Sequence, residues 1–306
     1  MYLGIDTSNY TSSVALVGGT ECISDVRRLL TVSKGALGLR QSDALFQHVK
    51  NLPDLMEQLF TNTSRSGVRA VAASTRPREV EGSYMPCFLA GEGLGKSLAA
   101  ALGVPFYGFS HQQGHVAAVL YSAGKLDWKD RRFLAWHLSG GTTELLLVEP
   151  KERIFTAKRI GGTKDVSAGQ IIDRTGQRLG LSFPSGKEID ALAQEADDRK
   201  YFHVKTGELS FSFSGLENKM NDCADSGTGA ANVAYYVLRS VAEAVKRVTE
   251  DAKTVYPDAP ILFSGGVSSS RLLREACAEF DPAFARPALS TDNAVGVAVL
   301  AQLQEG

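Results

Sequence analysis

Two histidines four residues apart, in His111-Gln112-Gln113-Gly114-His115, are the sharpest chemical signal in the chain. On a helix this spacing puts both imidazoles on one face, about 5–6 Å apart at Cβ. Such a pair suits two ligands of one metal ion. The plainer alternative is two helix histidines that meet solvent or a carbonyl. A metalloprotease is excluded, because H-E-x-x-H needs a Glu after the first histidine as general base. Gln112 is an amide and takes no proton at neutral pH. Two imidazoles leave a metal under-coordinated, so a carboxylate is wanted. Asp292, in Ser290-Thr291-Asp292-Asn293-Ala294, is the candidate. It precedes the last apolar segment, where Asp also serves as a helix N-cap. Nitrogen and oxygen ligands without thiolate suit Fe, Zn or Mn.

Two glycine-rich turns could hold a phosphate or a ribose. One is Leu138-Ser139-Gly140-Gly141-Thr142-Thr143; the other is Phe263-Ser264-Gly265-Gly266-Val267-Ser268-Ser269-Ser270. A strand, a glycine pair and a helix start bring free N–H groups and the helix dipole together. Such pairs are also ordinary turn chemistry. Ala90-Gly91-Glu92-Gly93-Leu94-Gly95-Lys96-Ser97 imitates a phosphate-binding G-x-x-x-x-G-K-[ST] loop but has Ala where the first glycine belongs. It reads better as a glycine-bearing helix packed closely on a neighbour.

The elements that position these groups alternate. Residues 2–18 read as strand, polar turn, strand, and residues 133–148 repeat that plan near the midpoint. Helices are expected at 42–60, 89–102, 111–122, 166–179, 231–252, 268–279 and 294–304, and strands at 68–73, 104–108 and 261–264. Strands alternating with helices predict an α/β fold. Two similar lobes suggest a nucleotide held between them. The expected division is residues 1–125 plus 294–306 for the N-terminal lobe and 126–293 for the C-terminal lobe, with 122–132 as linker.

Length and charge bound the function. The 306 residues make about two domains at roughly 150 residues each. Hydrophobic residues are 43% and charged residues 22%, which excludes a disordered, collagen-like or coiled-coil chain. Lys+Arg 33 against Asp+Glu 34 leave a net charge of -1, so nucleic acid is not held by charge alone. Four cysteines without C-x-x-C spacing suggest a reducing compartment. With no leader pattern and no apolar run of roughly 18 residues, the expected location is the cytoplasm.

Taken in order, these motifs resemble the universal tRNA threonylcarbamoyladenosine synthase family, TsaD in bacteria, once called glycoprotease or O-sialoglycoprotein endopeptidase. The resemblance runs through Gly4-Ile5-Asp6-Thr7-Ser8, His111/His115, Ser139-Gly140-Gly141-Thr142-Thr143-Glu144, residues 165–174, Leu181-Ser182-Phe183-Pro184-Ser185-Gly186, Phe211-Ser212-Phe213-Ser214-Gly215-Leu216, Gly265-Gly266-Val267 with Arg271 and Arg274, and Thr291-Asp292-Asn293. It implies the two-lobed actin/Hsp70/sugar-kinase (ASKHA) fold with duplicated ribonuclease H-like lobes. It implies an acyltransferase that moves a threonylcarbamoyl group from its adenylate to N6 of an adenosine in tRNA. By resemblance His111, His115 and Asp292 hold one metal ion, iron or zinc. Leu138, Ser139, Gly140, Gly141 and Thr142 contact the adenylate or ATP; Asp173 and Gly186 lie at the ribose or base; Ser270 stands where the family carries a nucleotide-binding Asn. No residue is assigned as a covalent catalyst. The family works on tRNA with a smaller paralogue and an ATPase, away from any membrane.

The chain also departs from the family. It has Tyr10-Thr11 for an acidic pair, Gln113 and Gln170 for Glu, Thr142 for His, Ser270 for Asn, and residues 76–83 for a Gly-Pro-Gly loop. These neutral replacements suggest a divergent paralogue. The alternatives are a nucleotide-binding regulatory partner with little activity, or carbamoyl transfer or kinase chemistry on another substrate, for which Asp6 and Asp173 are the available carboxylates.

Overall fold

The computed structural model describes residues 1–8, 10–32, 39–286, 289 and 293–306. The chain divides into two compact units. The first is Met1–Arg131, Glu149–Ala157 and Ala288–Gly306; the second is Arg132–Val148 and Lys158–Pro287.

In the first unit, β1 (Tyr2–Asp6), β2 (Thr11–Gly18) and β3 (Glu21–Leu29) form an antiparallel meander. β4 (Ala70–Arg76) pairs parallel with β1, and β5 (Phe106–Ser110) parallel with β4, so the order is β3-β2-β1-β4-β5. The second unit repeats this plan. β6 (Phe133–Leu138) pairs antiparallel with β7 (Thr143–Lys151) and parallel with β11 (Ile261–Ser264), which pairs parallel with β12 (Ala283–Phe284). With β8 (Ile154–Thr163) beside β7, the order β8-β7-β6-β11-β12 matches the first sheet strand for strand, and β10 (Ser210–Phe211) and β9 (Thr206–Gly207) extend it. The repeated hairpin of the sequence is therefore the first pair of each sheet.

Helices flank the strands: α1 (Gln41–Leu59), α2 (Phe88–Leu102), α3 (His111–Ala123) and α9 (Val295–Glu305) in the first unit; α4 (Ala168–Arg178), α5 (Gly186–Gln194), α6 (Ser214–Asp225), α7 (Ala230–Val255) and α8 (Arg271–Ala276) in the second. The sequence pattern does not announce α5 or α6. The helix expected at 268–279 shrinks to the six residues of α8, preceded by a 3-10 turn at Gly266–Ser269 and followed by another at Ala278–Phe280. Its Gly- and Ser-rich start favours local side-chain bonds over a helix; Ser268 Oγ donates to Gly265 O at 2.6 Å. Residues 149–157, expected with the C-terminal lobe, group with the first unit. Three contacts hold them there: Gln113 Nε2 to Phe155 O (2.9 Å), Lys151 Nζ to Glu79 Oε1 (3.2 Å) and Arg153 Nη1 to Gln304 O (2.9 Å).

α9 is buried at every position from Val295 to Ala301. Burying its valines and leucine is worth about 1.5–3 kcal/mol each. It lies directly on backbone: a Cβ at Gly4 of β1 would stand 2.3 Å from Ala294 O, and one at Gly296 only 1.8 Å from Gly114 O of α3. α2 packs as expected of the imitation loop. Gly91 donates its amide to Thr7 Oγ1 at 3.1 Å, and a Cβ at Gly95 would meet the Phe106 ring at 2.7 Å.

The polar turn after β1 is fixed by His48 of α1, which is fully buried. Asn51 Nδ2 donates to Ser12 Oγ (3.2 Å), Ser12 Oγ lies 2.8 Å from His48 Nδ1, and His48 Nε2 lies 3.1 Å from Ser8 O. A carbonyl only accepts, so the proton is on Nε2, Nδ1 accepts from Ser12, and the ring is neutral. Burial lowers the His48 pKa; the Ser8 carbonyl and nearby Asp6 oppose this but do not cancel it. The unfolded chain takes up this proton near its ordinary pKa of about 6.5, the folded one only at lower pH. Stability is therefore complete above that value and declines as pH falls below it. His48→Leu, which strands the Ser8 and Ser12 groups, is expected to cost about 1–3 kcal/mol per stranded group and to flatten that decline. Urea unfolding at several pH values measures both.

Candidate functional site

The histidine pair sits on the first two turns of α3. A capping box sets that helix start: Gln113 N–H donates to Ser110 Oγ (3.2 Å), and Gln113 Oε1 accepts from Ser110 N–H (3.0 Å). Gln113 is one of the two residues expected to stand for a family Glu, and the capping role needs only its side-chain oxygen. Gln170 does the same work at Ser167 on α4. Gln113 also donates from Nε2 to Phe155 O at 2.9 Å, a bond that only the amide can make.

His111 Nδ1 lies 3.2 Å from Oδ1 of Asp6, a fully buried carboxylate that also accepts from Ser8 Oγ at 2.9 Å. A carboxylate accepts, so the ring proton is on Nδ1 and His111 Nε2 presents its lone pair. His115 Nε2 approaches that atom at 2.9 Å. At metal–nitrogen distances of about 2.0–2.1 Å, two ligands at a right angle are about 2.9 Å apart. The 2.9 Å separation is a hydrogen bond between the rings, and it is also compatible with two ligands at a right angle on one ion. Among the described residues no group of three or more His, Cys, Asp or Glu forms a metal site. Asp292, the expected third ligand, lies outside the described residues. At the start of α9, Asn293 Oδ1 accepts from Gly296 N–H at 3.3 Å.

The expected nucleotide residues lie in the second unit. Leu138 ends β6, and Ser139–Thr142 is a tight turn: Ser139 N–H donates to Thr142 O (2.8 Å) and Thr142 N–H to Ser139 Oγ (3.1 Å). The start of α4 clamps it. Ser167 Oγ donates to Gly140 O (2.6 Å), Ala168 N–H to Thr143 Oγ1 (2.8 Å) and Gly169 N–H to Ser139 O (3.2 Å). These contacts use the first amides of α4 and not those of Gly140 and Gly141. A Cβ at Gly140, Gly141, Gly186 or Gly266 would meet nothing within 4 Å, so all four border open space. Gly265 is different: its φ is 87° and its Cβ would strike Leu138 O at 2.1 Å. Asp173 Oδ1 accepts from Ser185 N–H (2.9 Å) and so holds the turn that leads into Gly186. Ser270 is buried, and its Oγ has no hydrogen-bond partner among the described residues. A ligand hydroxyl or ring nitrogen would satisfy that group.

Gly169 shows how closely the turn is clamped. A Cβ there would lie 2.5 Å from both Gly140 Cα and Ser139 O. Gly169→Ala is expected to cost about 1–3 kcal/mol by overpacking, read from the denaturant midpoint.

One organising residue acts far beyond its own motif. Asp165 Oδ1 accepts from Val166 N–H (2.7 Å) and Phe213 N–H (2.9 Å), and Oδ2 from Ser214 N–H (3.2 Å) and the Ser212 and Ser214 hydroxyls. Burial pushes its pKa up, but these donors outweigh burial and hold the carboxyl well below its ordinary range. The run Phe211–Leu216 is thus pinned to the loop that opens α4. The two partners lie 47 to 49 residues apart, beyond any local pattern.

Together the duplicated sheet order and the strand-end turns define the two-lobed α/β class of the actin/Hsp70/sugar-kinase fold. Solved structures share that fold. A full-length HypF in the phosphate- and nucleotide-bound form matches with TM-score 0.61 at 12% identity, covering 100% of this chain and 47% of that one. Component A of the (R)-2-hydroxyglutaryl-CoA dehydratase of Acidaminococcus fermentans matches with TM-score 0.57 at 16% identity, covering 99% and 98%. A glucokinase of the ROK family from Streptomyces griseus matches with TM-score 0.54 at 12% identity, covering 100% and 99%.

Sequence likeness is narrower. The family model for tRNA N6-adenosine threonylcarbamoyltransferase (TsaD) matches residues 34–299. A protein of that name from Thermus thermophilus is 31% identical over 98% of this chain and 91% of its own length. One from Prochlorococcus marinus is 30% identical over 85% of this chain and 77% of its own length. The chain belongs to the tRNA N6-adenosine threonylcarbamoyltransferase family, a family of transferases that act on tRNA. No helix among the described residues is long and apolar enough to cross a membrane.

Proposed function

We propose that this chain moves a threonylcarbamoyl group from its adenylate to N6 of adenosine in tRNA, and that His111, His115 and Asp292 hold one iron or zinc ion that the reaction needs. The observation that carries this reading is the 2.9 Å convergence of the two Nε2 atoms, with Asp6 orienting His111. In the step itself, N6 attacks the carbamoyl carbon, the bond from that carbon to the phosphate oxygen breaks, AMP leaves, and N6 gives up a proton. Leu138, Ser139, Gly140, Gly141 and Thr142 would lie along the adenylate, with Asp173 and Gly186 at its ribose or base and Ser270 completing its hydrogen bonds. A bound ion would supply positive charge for the phosphate of the donor. No side chain is needed as a covalent nucleophile, so positioning and fixed dipoles would carry most of the rate.

The near-neutral charge supports weak tRNA binding by the isolated chain. We expect productive binding with partner proteins, a small paralogue and an ATPase. Phe46 and Val49 on α1, 68% and 57% exposed, are available for such contacts. A cytoplasmic location follows from the tRNA substrate. The test is transfer to unmodified tRNA with threonylcarbamoyl-adenylate as donor and the partner proteins present. Product should require the adenylate, vanish after chelation and return with iron or zinc. Product without the adenylate, or unchanged by chelation, would refute the donor or the metal.

A further inference from the structure

The first unit contains a cavity of about 240 Å³ that the reading above does not use. It lies along β5, where Tyr107 and Phe109 share one strand face and stack at 6.2 Å and 23°. Ile154 completes its apolar lining. Four charged residues also line it: Arg76 at the end of β4, Glu79 from the loop that follows, Lys151 at the end of β7 and Glu152 just after it.

Several of its polar groups are already engaged. The Gln113 amide is spent on Ser110 and Phe155 O, and the Tyr107 hydroxyl donates to Glu305. Glu79 Oε1 pairs with Lys151 Nζ. Glu79 Oε2 is shut off from solvent and has no hydrogen-bond partner among the described residues. Leaving such an acceptor unpaired costs about 1–3 kcal/mol or more for a charged group. A ligand N–H is what would satisfy it. Arg76 donates from Nη1 to Thr75 Oγ1 at 3.1 Å, one use among five guanidinium donors.

We propose that this cavity binds a zwitterion of amino-acid size with an apolar side chain, its ammonium on Glu79 and its carboxylate on Arg76. Charge balance argues for the zwitterion, since two cationic and two anionic side chains favour a ligand of no net charge. Size argues for an amino acid, since drug-sized ligands occupy about 300–1,000 Å³. The stacked rings and Ile154 argue for the apolar side chain. Arg76 and Glu79 both belong to residues 76–83, where this chain departs from its family. The site is independent of the transferase reading. It also borders the histidine helix, because Gln112 N–H donates to Pro77 O of the same loop at 3.1 Å.

Calorimetric titration of the full chain with L-leucine tests the proposal. Saturable one-to-one binding is expected, with a Kd of about 1 mM or tighter. N-acetyl-L-leucine, which lacks the ammonium, and L-leucinamide, which lacks the carboxylate, should each bind at least about tenfold more weakly, as should L-leucine to Glu79→Gln. Ile154→Trp fills the cavity and should abolish the heat. No saturable heat from L-leucine would overturn the proposal. So would equal affinity for the two analogues, or undiminished binding by variants that melt like the wild type.

Discussion

His115→Ala is expected to lose its metal and, with it, nearly all transfer to tRNA, while its melting temperature stays close to wild type. The side chain is only half-buried, so truncation opens no core cavity. It removes one of the two Nε2 atoms that meet at 2.9 Å. The His111 imidazole, oriented by Asp6, and the proposed Asp292 carboxylate then leave the ion one protein ligand short. Charge stabilisation by a metal is worth several kcal/mol, and each 1.36 kcal/mol is tenfold in rate, so the loss should reach at least about a hundredfold. Elemental analysis and rate assays on the same preparations read both effects. Equal metal content in the two proteins would remove His115 from the site.

Gly296→Ala carries the largest expected stability cost. α9 crosses α3 with no room for a side chain at Gly296: the new Cβ would stand 1.8 Å from Gly114 O and 2.8 Å from Ala118 N, both backbone atoms. Neither can rotate away, so the helices must separate. The cost should exceed the about 1–3 kcal/mol of ordinary overpacking. Gly114 lies between His111 and His115, so whatever fraction folds should bind metal poorly. A denaturant midpoint equal to wild type would show that the crossing is looser than described.

The hairpins at 2–18 and 133–148 are legible because their strands are buried runs around turns of Asp, Ser, Thr and Gly, and two of them in matching places imply the duplicated fold. The histidine pair is legible because helical spacing is local. What stays hidden is either polar or long-range. β3 is largely exposed and lacks alternation, and α6 buries only Leu216 and Met220, so neither leaves a periodic signal. Asp165 acts on residues nearly fifty positions away, and Asp6 on His111 across 105. Gln113 and Gln170 look like lost carboxylates in the sequence, yet in the fold both are capping residues. The family can be read because its motifs are specific; the burial of Glu79 Oε2 cannot, since no local pattern marks it.

The most direct measurement of the central claim is made on tRNA itself. A strain depleted of its own threonylcarbamoyladenosine synthase is given this chain, and its tRNA nucleosides are resolved by mass spectrometry. The threonylcarbamoyl-modified adenosine should reappear with the wild-type chain and stay absent with His115→Ala. Soluble, intact wild-type protein that leaves the adenosine unmodified would contradict the claim and return the chain to a nucleotide-binding role without transfer.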